Sequence, residues 1–332
     1  MIKVFDLCGI GNGLVDIQIE VDDSVIEKFN LIKGGMQLAE AEQQAEMIRT
    51  LSDKKQYRSS GGSAANTIIA FSEFGGKSAY QTVLGNDELG RFYAKEFTDL
   101  GIELVGKTDD NYPTGTCLVL ITPDSQRTMV TALGASALFT KNDLKEGIIK
   151  RAKWLYIEGY EFTQEDSTNA VFKAIELAKK HYTNIALTFS DSFIIDLFYD
   201  KVKHVADNSD LIFCNEKEAM NYAKIDNITH TMRYFNENFK NYVITKGATG
   251  SVVKWNNMNY TIPPYTSEPK DSTGAGDMFA GAFLYGIIAT ESPLKAGHLA
   301  SISAAKVVSQ FGARLKGEHK VLRDKIFNDI KG

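Results

Sequence analysis

The stretch Lys153–Ser190, KWLYIEGYEFTQEDSTNAVFKAIELAKKHYTNIALTFS, contains the pattern that decides the fold. Its two apolar runs, KWLYIEG and IALTFS, are typical of strands, and the segment NAVFKAIELAKKH between them has the composition of an amphipathic helix. Strands that alternate with helices of this length build parallel sheets covered by helices. The stretch therefore predicts an α/β fold.

The same alternation extends in both directions. Strands are expected at VFDLCGIG, AYQTVLG, DLIFC, YVITKG and SVVKW, helices at SAANTIIAFSEFGG and near FIIDLFYDKVKHV, and two or three further helices at the end of the sequence. These elements predict a three-layer sandwich in which a mostly parallel central sheet is covered by helices.

Two segments do not fit a buried parallel sheet. LVDIQIEV, which begins at Leu14, alternates apolar and polar side chains as a half-exposed strand does, and residues 114–133 resemble a hairpin with its turn at Pro123-Asp124. We expect a small β-sheet lid from about residues 14–38 and 112–133, inserted into a single domain that spans residues 1–332. Ligands in such folds bind beyond the carboxyl ends of the strands, where a lid would cover them.

Composition favours a small-molecule ligand. Of 332 residues, 43% are hydrophobic and 24% are charged, and the net charge of −5 comes without a basic block, which argues against nucleic acid as a partner. Cys8, Cys117 and Cys214 lie far apart and suggest neither a disulfide framework nor a zinc site, so a cytoplasmic protein is expected. No apolar run is long enough to span a membrane.

The sequence DSTGAGDMFAGAFL, at Asp271–Leu284, predicts a helix whose N-terminus is built from small residues. Helix N-termini bind anions through unpaired N–H groups and the helix dipole, and small residues allow a phosphate to come close. Gly274, Ala275 and Gly276 are therefore candidates for an anion hole, and Asp277 is a candidate base for a hydroxyl beside the phosphate. The alternative is that Asp277 only complements the helix dipole.

Two glycine-containing segments provide candidates for hydroxyl binding. GIGNGLVD places Asp16 beyond the first strand, where an ionised carboxylate could accept hydrogen bonds from a polyol or sugar, or could simply belong to an exposed turn. GGSAAN places Gly62 and Asn66 at the entry of a helix, where they could bind a ligand; alternatively, Ser63 caps a flexible helix entry.

Two further segments suggest metal and nucleotide binding. In NEKEA, Asn215 and Glu218 share a helix face and could approach hydrated Mg²⁺ or phosphate, although the same spacing forms a capping box. In TKGATGS, Lys246 or the backbone near Gly247 could contact a nucleotide phosphate; alternatively, the segment is an ordinary turn between strands. GGKS at residues 75–78 lacks the first glycine of a Walker A loop, which excludes P-loop kinases.

Taken together, residues 61–90 and Asp271–Leu284 resemble the two signatures of the ribokinase-like (pfkB) carbohydrate and nucleoside kinases. The resemblance implies transfer of the γ-phosphoryl group of Mg-ATP to an alcohol. It assigns the base to Asp277, the anion hole to residues 274–276 and the NxxE motif for Mg²⁺ and phosphate to residues 215–218. The acceptor-site residues it implies are Asp16, Gly62 and Asn66, and the nucleotide loop it implies includes Lys246, Gly247 and Gly250. Asp271, Thr273 and residues 312–314 lie where some members hold a monovalent cation such as K⁺.

Within this family, residues 11–40 resemble the adenosine-kinase and guanosine/inosine-kinase branch. The resemblance implies phosphorylation of adenosine at its 5′-hydroxyl, giving AMP, with guanosine, inosine or a sugar such as ribose or fructose as alternatives. Met36, Tyr160 and Phe162 are candidates for holding a base, unless they are ordinary core residues.

Two readings of a different class remain beside the kinase. A noncatalytic nucleotide-binding regulator would be expected to have lost part of this set, and a nicotinamide-dependent oxidoreductase would need a glycine fingerprint that the chain lacks. In the family that the chain resembles, lid strands can pair between subunits through their free edges, so the resemblance implies a monomer or a homodimer.

Overall fold

Two β-sheets and the helices packed on them make up the computed structural model, which describes residues 2–124 and 126–331. In these residues the strands are β1 Phe5–Ile10, β2 Leu14–Glu20, β3 Met36–Leu38, β4 Gln56–Gly61, β5 Ser78–Gly85, β6 Glu103–Asp109, β7 Thr114–Ile121, β8 Arg127–Gly134, β9 Ala152–Glu158, β10 Asn184–Thr188, β11 Leu211–Asn215, β12 Tyr242–Thr245, β13 Ser251–Trp255 and β14 Met258–Ile262. The α-helices are α1 Asp23–Lys28, α2 Ala41–Thr50, α3 Ser63–Glu73, α4 Glu88–Asp99, α5 Glu146–Arg151, α6 Glu165–Lys180, α7 Ser192–Ala206, α8 Glu216–Ala223, α9 Ile228–Asn238, α10 Ala275–Thr290, α11 Pro293–Val308 and α12 His319–Asp329. Short 3-10 turns lie at Ala135–Leu138, Gly159–Thr163 and Gly247–Thr249.

The larger sheet is mostly parallel, as the sequence predicts. Over the described residues its strands lie in the order β14-β13-β12-β11-β10-β9-β1-β5-β6. Neighbouring strands from β12 to β6 are parallel, and β13 and β14 continue the sheet in antiparallel pairs. Leu7 of β1 lies opposite Trp154 of β9 and Ser78 of β5, so the first strand sits near the middle of the sheet. The predicted α/β class is confirmed.

Helices cover both faces of this sheet. Leu7 of β1 joins the core cluster that contains residues of α3, α10 and α11, whereas Cys8 and Ile10 join the cluster that contains residues of α6 and α7. Successive side chains of a strand point to opposite faces, so a strand buried on both sides reads as a continuous apolar run. The two clusters complete the predicted three layers.

Helix α10 packs closely on α3. A Cβ atom at Gly281 of α10 would lie 2.5 Å from the carbonyl oxygen of Thr67 and 2.8 Å from Cβ of Ala70, both in α3. Only glycine allows the helices to approach this closely. The small residues of α10 therefore bring its N-terminal turn beside that of α3.

The smaller sheet is the predicted lid. In the described part of the chain its strand order is β3-β8-β7-β2-β4, with β7 and β8 forming the predicted antiparallel hairpin. Strand β4 lies outside the segments predicted for the lid and pairs antiparallel with β2.

Strand β2 differs from the half-exposed strand predicted from its alternating pattern. Val15 and Ile17 are buried in the cluster that includes Ile26 of α1 and Met47 of α2. The intervening Asp16 points to the other face of the sheet. Helices α1 and α2 cover the outer face of the lid, so the alternation separates a helix-covered face from a face that looks into a cleft.

The three cysteines, Cys8, Cys117 and Cys214, are buried and have free thiols, as expected from their separation in sequence. Among the helices at residues 2–124 and 126–331, none is long and apolar enough to span a membrane.

Candidate active site

A cleft of about 520 Å³ lies between the inner face of the lid and the N-termini of α3 and α10. It is at the carboxyl edge of the parallel strands, where open α/β sheets bind ligands. The cleft brings together predicted residues from distant parts of the sequence, namely Asp16, Met36, Gly62, Asn66, Tyr160, Asn215, Glu218, Gly274, Gly276 and Asp277.

Asp277 lies in the first turn of α10 and is held by side chains of α3. Ser63 Oγ donates a hydrogen bond of 2.7 Å to Oδ1, and Asn66 Nδ2 donates one of 3.4 Å to Oδ2. Burial raises the pKa of Asp277 to about 7, an effect that Ser63 and Asn66 oppose and that the charge of Glu158 reinforces. A carboxylate with this pKa is suited to accept a proton near neutral pH.

The entry of α3 does not have the Ser63 cap that the alternative interpretation of GGSAAN assigned to it. Gly62 is the N-cap residue, with a φ of +96°, and it has no side chain to accept a hydrogen bond from the first N–H groups of α3. A Cβ at Gly62 would lie 2.2 Å from the carbonyl oxygen of Asn12, so glycine is required for both conformation and space. Ser63 is thereby free to contact Asp277 instead.

The N-terminus of α10 forms an anion-binding geometry. Gly274 is the N-cap residue with a φ of +71°, and a Cβ there would lie 2.5 Å from Cβ of Ala313. Ala275 and Gly276 follow as the first two helical residues. Three consecutive residues with little or no side chain leave the first-turn N–H groups accessible, as the anion-hole hypothesis requires.

A second cavity, of about 600 Å³, lies on the other side of the α10 N-terminus. Gly247 and Gly250 of the predicted nucleotide loop line it, together with Tyr265. Ser272 and Gly276 line both cavities, so the two spaces meet at the first turn of α10. This is the arrangement needed to pass a group from a ligand in one cavity to a ligand in the other.

Lys246 is placed differently from the predicted nucleotide contact. Its ammonium lies 3.8 Å from the Glu216 carboxylate. Lys246 is not among the described residues that line either cavity. The backbone turn that follows, at Gly247–Thr249, is the part of the loop that reaches the second cavity.

Asp16 projects from β2 into the cleft and is 9% exposed. Burial raises its pKa to about 6, while the positive charges of Arg314 and Arg127 oppose this rise and Glu96 adds to it. The carboxylate therefore carries a negative charge above pH 6 and can accept hydrogen bonds from a hydroxylated ligand.

Asn215 and Glu218 form the capping box that the sequence allows, and they also line the cleft. The Asn215 Oδ1 accepts from the Glu218 N–H at 2.9 Å, and Asn215 Nδ2 donates to Glu218 Oε1 at 2.6 Å. Burial, reinforced by the charge of Asp191, raises the pKa of Glu218 to about 7. Both readings of the motif are therefore compatible with its position.

Two aromatic residues line the cleft: Tyr160, which the sequence predicts, and Phe193, which it does not. Tyr160 lines the cleft beside Phe193, with ring centroids 6.1 Å apart, and Met36 faces the same space from the lid. Phe162, in contrast, is fully buried in the sheet-face core. The turn at Gly159–Thr163 is a 3-10 helix, which directs Tyr160 and Phe162 to different environments.

Residues 38–320 match the family described as pfkB family carbohydrate kinase. The chain belongs to this family. It is 26% identical over 321 residues to adenosine kinase 2 of Arabidopsis thaliana, covering 89% of this chain and 92% of the relative. The crystal structure of adenosine kinase from Sinorhizobium meliloti matches with a TM-score of 0.89 at 28% identity, covering 97% and 99% of the two chains. A probable sugar kinase protein from Rhizobium etli CFN 42 matches with a TM-score of 0.90 at 28% identity, covering 98% and 99%.

Arg127 is a buried residue beside the site of this pfkB kinase that sequence reasoning missed, and it lines neither cavity. It begins β8, is 8% exposed, and its Nη2 lies 3.1 Å from Oδ2 of Asp271, next to the α10 N-terminus. The Asp271 carboxylate also accepts from the N–H groups of Thr273 at 2.9 Å and Gly312 at 2.8 Å. Among the described residues the guanidinium nitrogens of Arg127 have no hydrogen-bond partner of good geometry. Nothing in the hairpin sequence indicates that this arginine turns inward.

Proposed function

We propose that this pfkB kinase transfers the γ-phosphoryl group of ATP to the 5′-hydroxyl of a nucleoside, with adenosine as the preferred acceptor and AMP as the product. The observation that carries the proposal is the meeting of two cavities at the N-terminus of α10, directly beside Asp277. Adenosine is favoured because similar chains over nearly the full length are named adenosine kinases.

In this proposal, side chains that line the cleft bind the acceptor and remove the proton from its attacking hydroxyl. Asp277 takes the proton of the attacking hydroxyl, as its pKa of about 7 allows. Asp16 accepts hydrogen bonds from the ribose hydroxyls. The Oδ1 of Asn66 is buried without a hydrogen-bond partner in the described residues and is available to a further hydroxyl.

The transferring phosphoryl group is held by backbone and arginine donors. The N–H groups at Gly274, Ala275 and Gly276 and the dipole of α10 face the developing charge on the phosphoryl oxygens. Arg127 adds a positive charge behind this loop. The guanidinium lines neither cavity in this structure but has unsatisfied donors among the described residues, so we propose that it turns toward the phosphate of the bound nucleotide.

We propose that Mg²⁺ is held in the cleft through water rather than through a ready-made ligand set. Among the described residues no group of three or more His, Cys, Asp or Glu side chains forms a metal site. The Asn215–Glu218 pair lines the same cleft as the N-terminus of α10 and contains oxygen atoms of the kind that Mg²⁺ prefers. We propose that this pair orients water of the Mg²⁺ carried by ATP. The metal neutralises phosphate charge when bound.

The predicted monovalent cation fits less well. Arg127 and two backbone N–H groups already engage the Asp271 carboxylate. We therefore propose no step that depends on K⁺.

The base is proposed to lie between Tyr160 and the lid, with Met36 on the opposite side. Aromatic stacking and apolar contact hold a planar base without fixing its identity, so guanosine and inosine are the next candidates. The similarity to a probable sugar kinase protein keeps a free sugar as the second candidate acceptor.

The test is ADP release from Mg-ATP with adenosine, guanosine, inosine, cytidine, ribose and fructose as acceptors, using the Asp277→Asn variant as the blank. We expect turnover to be fastest with adenosine and to be lost in the variant. Turnover with free sugars alone would retain the phosphoryl transfer and reject the base pocket. Nucleotide binding without turnover of any acceptor would favour a noncatalytic regulator.

A further inference from the structure

Two buried glutamates share the side-chain amide of Asn12, and one of them, Glu158, lines the cleft. Glu158 ends β9 and is 1% exposed, and Glu161 lies in the following 3-10 turn and is 2% exposed. Neither carboxyl group forms an ion pair with a lysine, arginine or histidine in the part of the chain that the structure describes. Buried charge is costly unless hydrogen bonds replace water, so the contacts of this pair determine what it can do.

The carboxylate of Glu158 joins β1 to α3. Its Oε1 accepts from the backbone N–H of Asn12 at 2.8 Å and from Asn12 Nδ2 at 3.2 Å. Its Oε2 accepts from the backbone N–H of Ala64 at 2.6 Å. Helix α3 has no capping side chain at Gly62, so Glu158 supplies the missing acceptor from a neighbouring strand.

Glu161 completes this cluster through the same asparagine. Its Oε1 accepts from Asn12 Nδ2 at 2.9 Å, while Asn12 Oδ1 accepts from Ser136 Oγ at 3.0 Å. Burial raises the pKa of Glu161 well above its usual range, and the charge of Glu158 raises it further. Burial also raises the pKa of Glu158, but its backbone and side-chain donors oppose this effect. The two carboxyl groups share the Asn12 amide and have no cationic partner among the described residues, so a single charge on the pair costs least. Glu158 accepts from two backbone N–H groups, and we therefore assign the charge to Glu158 and the proton to Glu161.

The first turn of α3, which Glu158 holds through the Ala64 N–H, carries the two side chains that donate hydrogen bonds to Asp277. Ser63 precedes Ala64 and donates to one carboxylate oxygen of Asp277, and Asn66 donates to the other. A shift of a few tenths of an ångström in this turn would lengthen both hydrogen bonds, the second of which is already 3.4 Å.

We propose that Glu158 is a positioning residue for phosphoryl transfer: it fixes the first turn of α3 against β1, and through its charge it adjusts the basicity of Asp277, while Glu161 stores the proton that limits the cluster to one charge. This inference rests on the proposed role of Asp277 as the base. It assigns no contact between Glu158 and the substrate.

The groups that face Asp277 determine the direction of the electrostatic effect. Ser63 and Asn66 of α3 lower its pKa by hydrogen bonding, whereas burial and the negative charges of Glu158 and Asp16 raise it. The nearby phenol of Tyr156 is neutral, since its own pKa is raised by burial. Removal of the Glu158 charge therefore lowers the pKa of Asp277 and moves the acid limb of the pH–rate profile to lower pH.

The main experiment compares the pH profiles of kcat and kcat/KM for the full-length enzyme and the Glu158→Gln variant. We expect the acid limb to move down by about half a pH unit, with kcat lowered about tenfold and acceptor KM little changed. Glu161→Gln is the matched control, because a neutral amide resembles a protonated acid, and it is expected to keep wild-type activity and profile.

A second variant, Glu158→Asp, keeps the charge but shortens the reach. It should lower kcat and leave the acid limb in place, which separates the two effects of Glu158. An unchanged acid limb in an active Glu158→Gln enzyme overturns the proposal. A loss confined to acceptor KM overturns it as well and makes Glu158 a substrate-binding residue. Absence of turnover in the wild type with every acceptor refutes the proposed function instead.

Thermal unfolding tests whether Glu161 holds a proton, and this measurement does not depend on enzyme activity. A raised pKa in the folded state means that wild-type stability is lost as pH rises from the ordinary glutamate value of about 4.3 through the folded value. Glu161→Gln removes this titration. The melting temperature of the variant relative to wild type should therefore rise between pH 5 and pH 9, and a constant difference contradicts the assignment of the proton to Glu161.

Discussion

Replacing Asp277 with asparagine should abolish activity and stabilise the fold at the same time. Asparagine is nearly isosteric and still accepts from Ser63 Oγ, which donates to Oδ1 of Asp277 at 2.7 Å. The new amide N–H group can be matched by Asn66, whose Oδ1 is buried without a partner among the described residues and becomes an acceptor when the amide rotates. The substitution therefore removes the base without creating a buried unsatisfied group.

The expected gain in the free energy of unfolding follows from the shift in the pKa of Asp277. Burial raises the pKa of Asp277 from 3.8 to about 7 in the folded state, so folded Asp277 holds its proton more tightly than the unfolded chain does. The associated stability is present below pH 4 and is lost as pH rises through about 7. The full shift corresponds to at most about 4 kcal/mol. Asp277 is only half-buried and borders the open cleft, so about 1 to 2 kcal/mol is a more realistic gain for the variant at pH 8.

Differential scanning fluorimetry at pH 5 and pH 8 measures this gain, and ADP release measures turnover. We expect kcat to fall at least about 100-fold. The melting temperature of Asp277→Asn should exceed that of the wild type by about 2 to 5 °C at pH 8, with a smaller difference at pH 5. A variant that is less stable than wild type at pH 8, or that keeps near-normal turnover, would refute the reasoning about this carboxylate.

Three further substitutions test other parts of the site. Tyr160→Ala should raise the KM for adenosine about tenfold by removing base stacking, whereas turnover of any free-sugar acceptor should be unaffected; equal losses for both would place Tyr160 elsewhere. Arg127→Gln should lower kcat about 10- to 100-fold and reduce the melting temperature, because Asp271 loses its ion-pair partner at 3.1 Å; unchanged kinetics would exclude a phosphate contact. Gly274→Ala should remove activity through the strain of a φ of +71° and the 2.5 Å approach of its Cβ to Ala313, which a soluble variant with wild-type kcat would contradict.

The parallel sheet could be predicted because its strands are buried on both faces and alternate with helices in sequence. β9 and β10 read as apolar runs for this reason, and α6 between them shows the helical pattern. β4, QYRSSG at Gln56–Gly61, could not be recognised because its residues are mostly polar and partly exposed. It belongs to the lid only through its pairing with β2.

In the candidate site, too, some residues could be predicted from local sequence and others could not. The glycines and Asp277 could be predicted because the chemistry of a helix N-terminus is local in sequence. Arg127 and Glu158 act across the fold, on Asp271 and Ala64, and no local pattern reports such pairs. Phe162 was misplaced because a 3-10 turn, rather than an extended strand, sets the direction of its side chain.

Following the transferred phosphoryl group itself is the sharpest test of nucleoside phosphorylation by this protein. The purified protein is incubated with adenosine and Mg-ATP radiolabelled at the γ-phosphate, and the products are separated by chromatography. We expect the label to appear in 5′-AMP and the Asp277→Asn variant to form no labelled AMP. Label found only in inorganic phosphate, or no transfer to adenosine while a free sugar becomes labelled, would contradict the assignment of this chain as a nucleoside kinase.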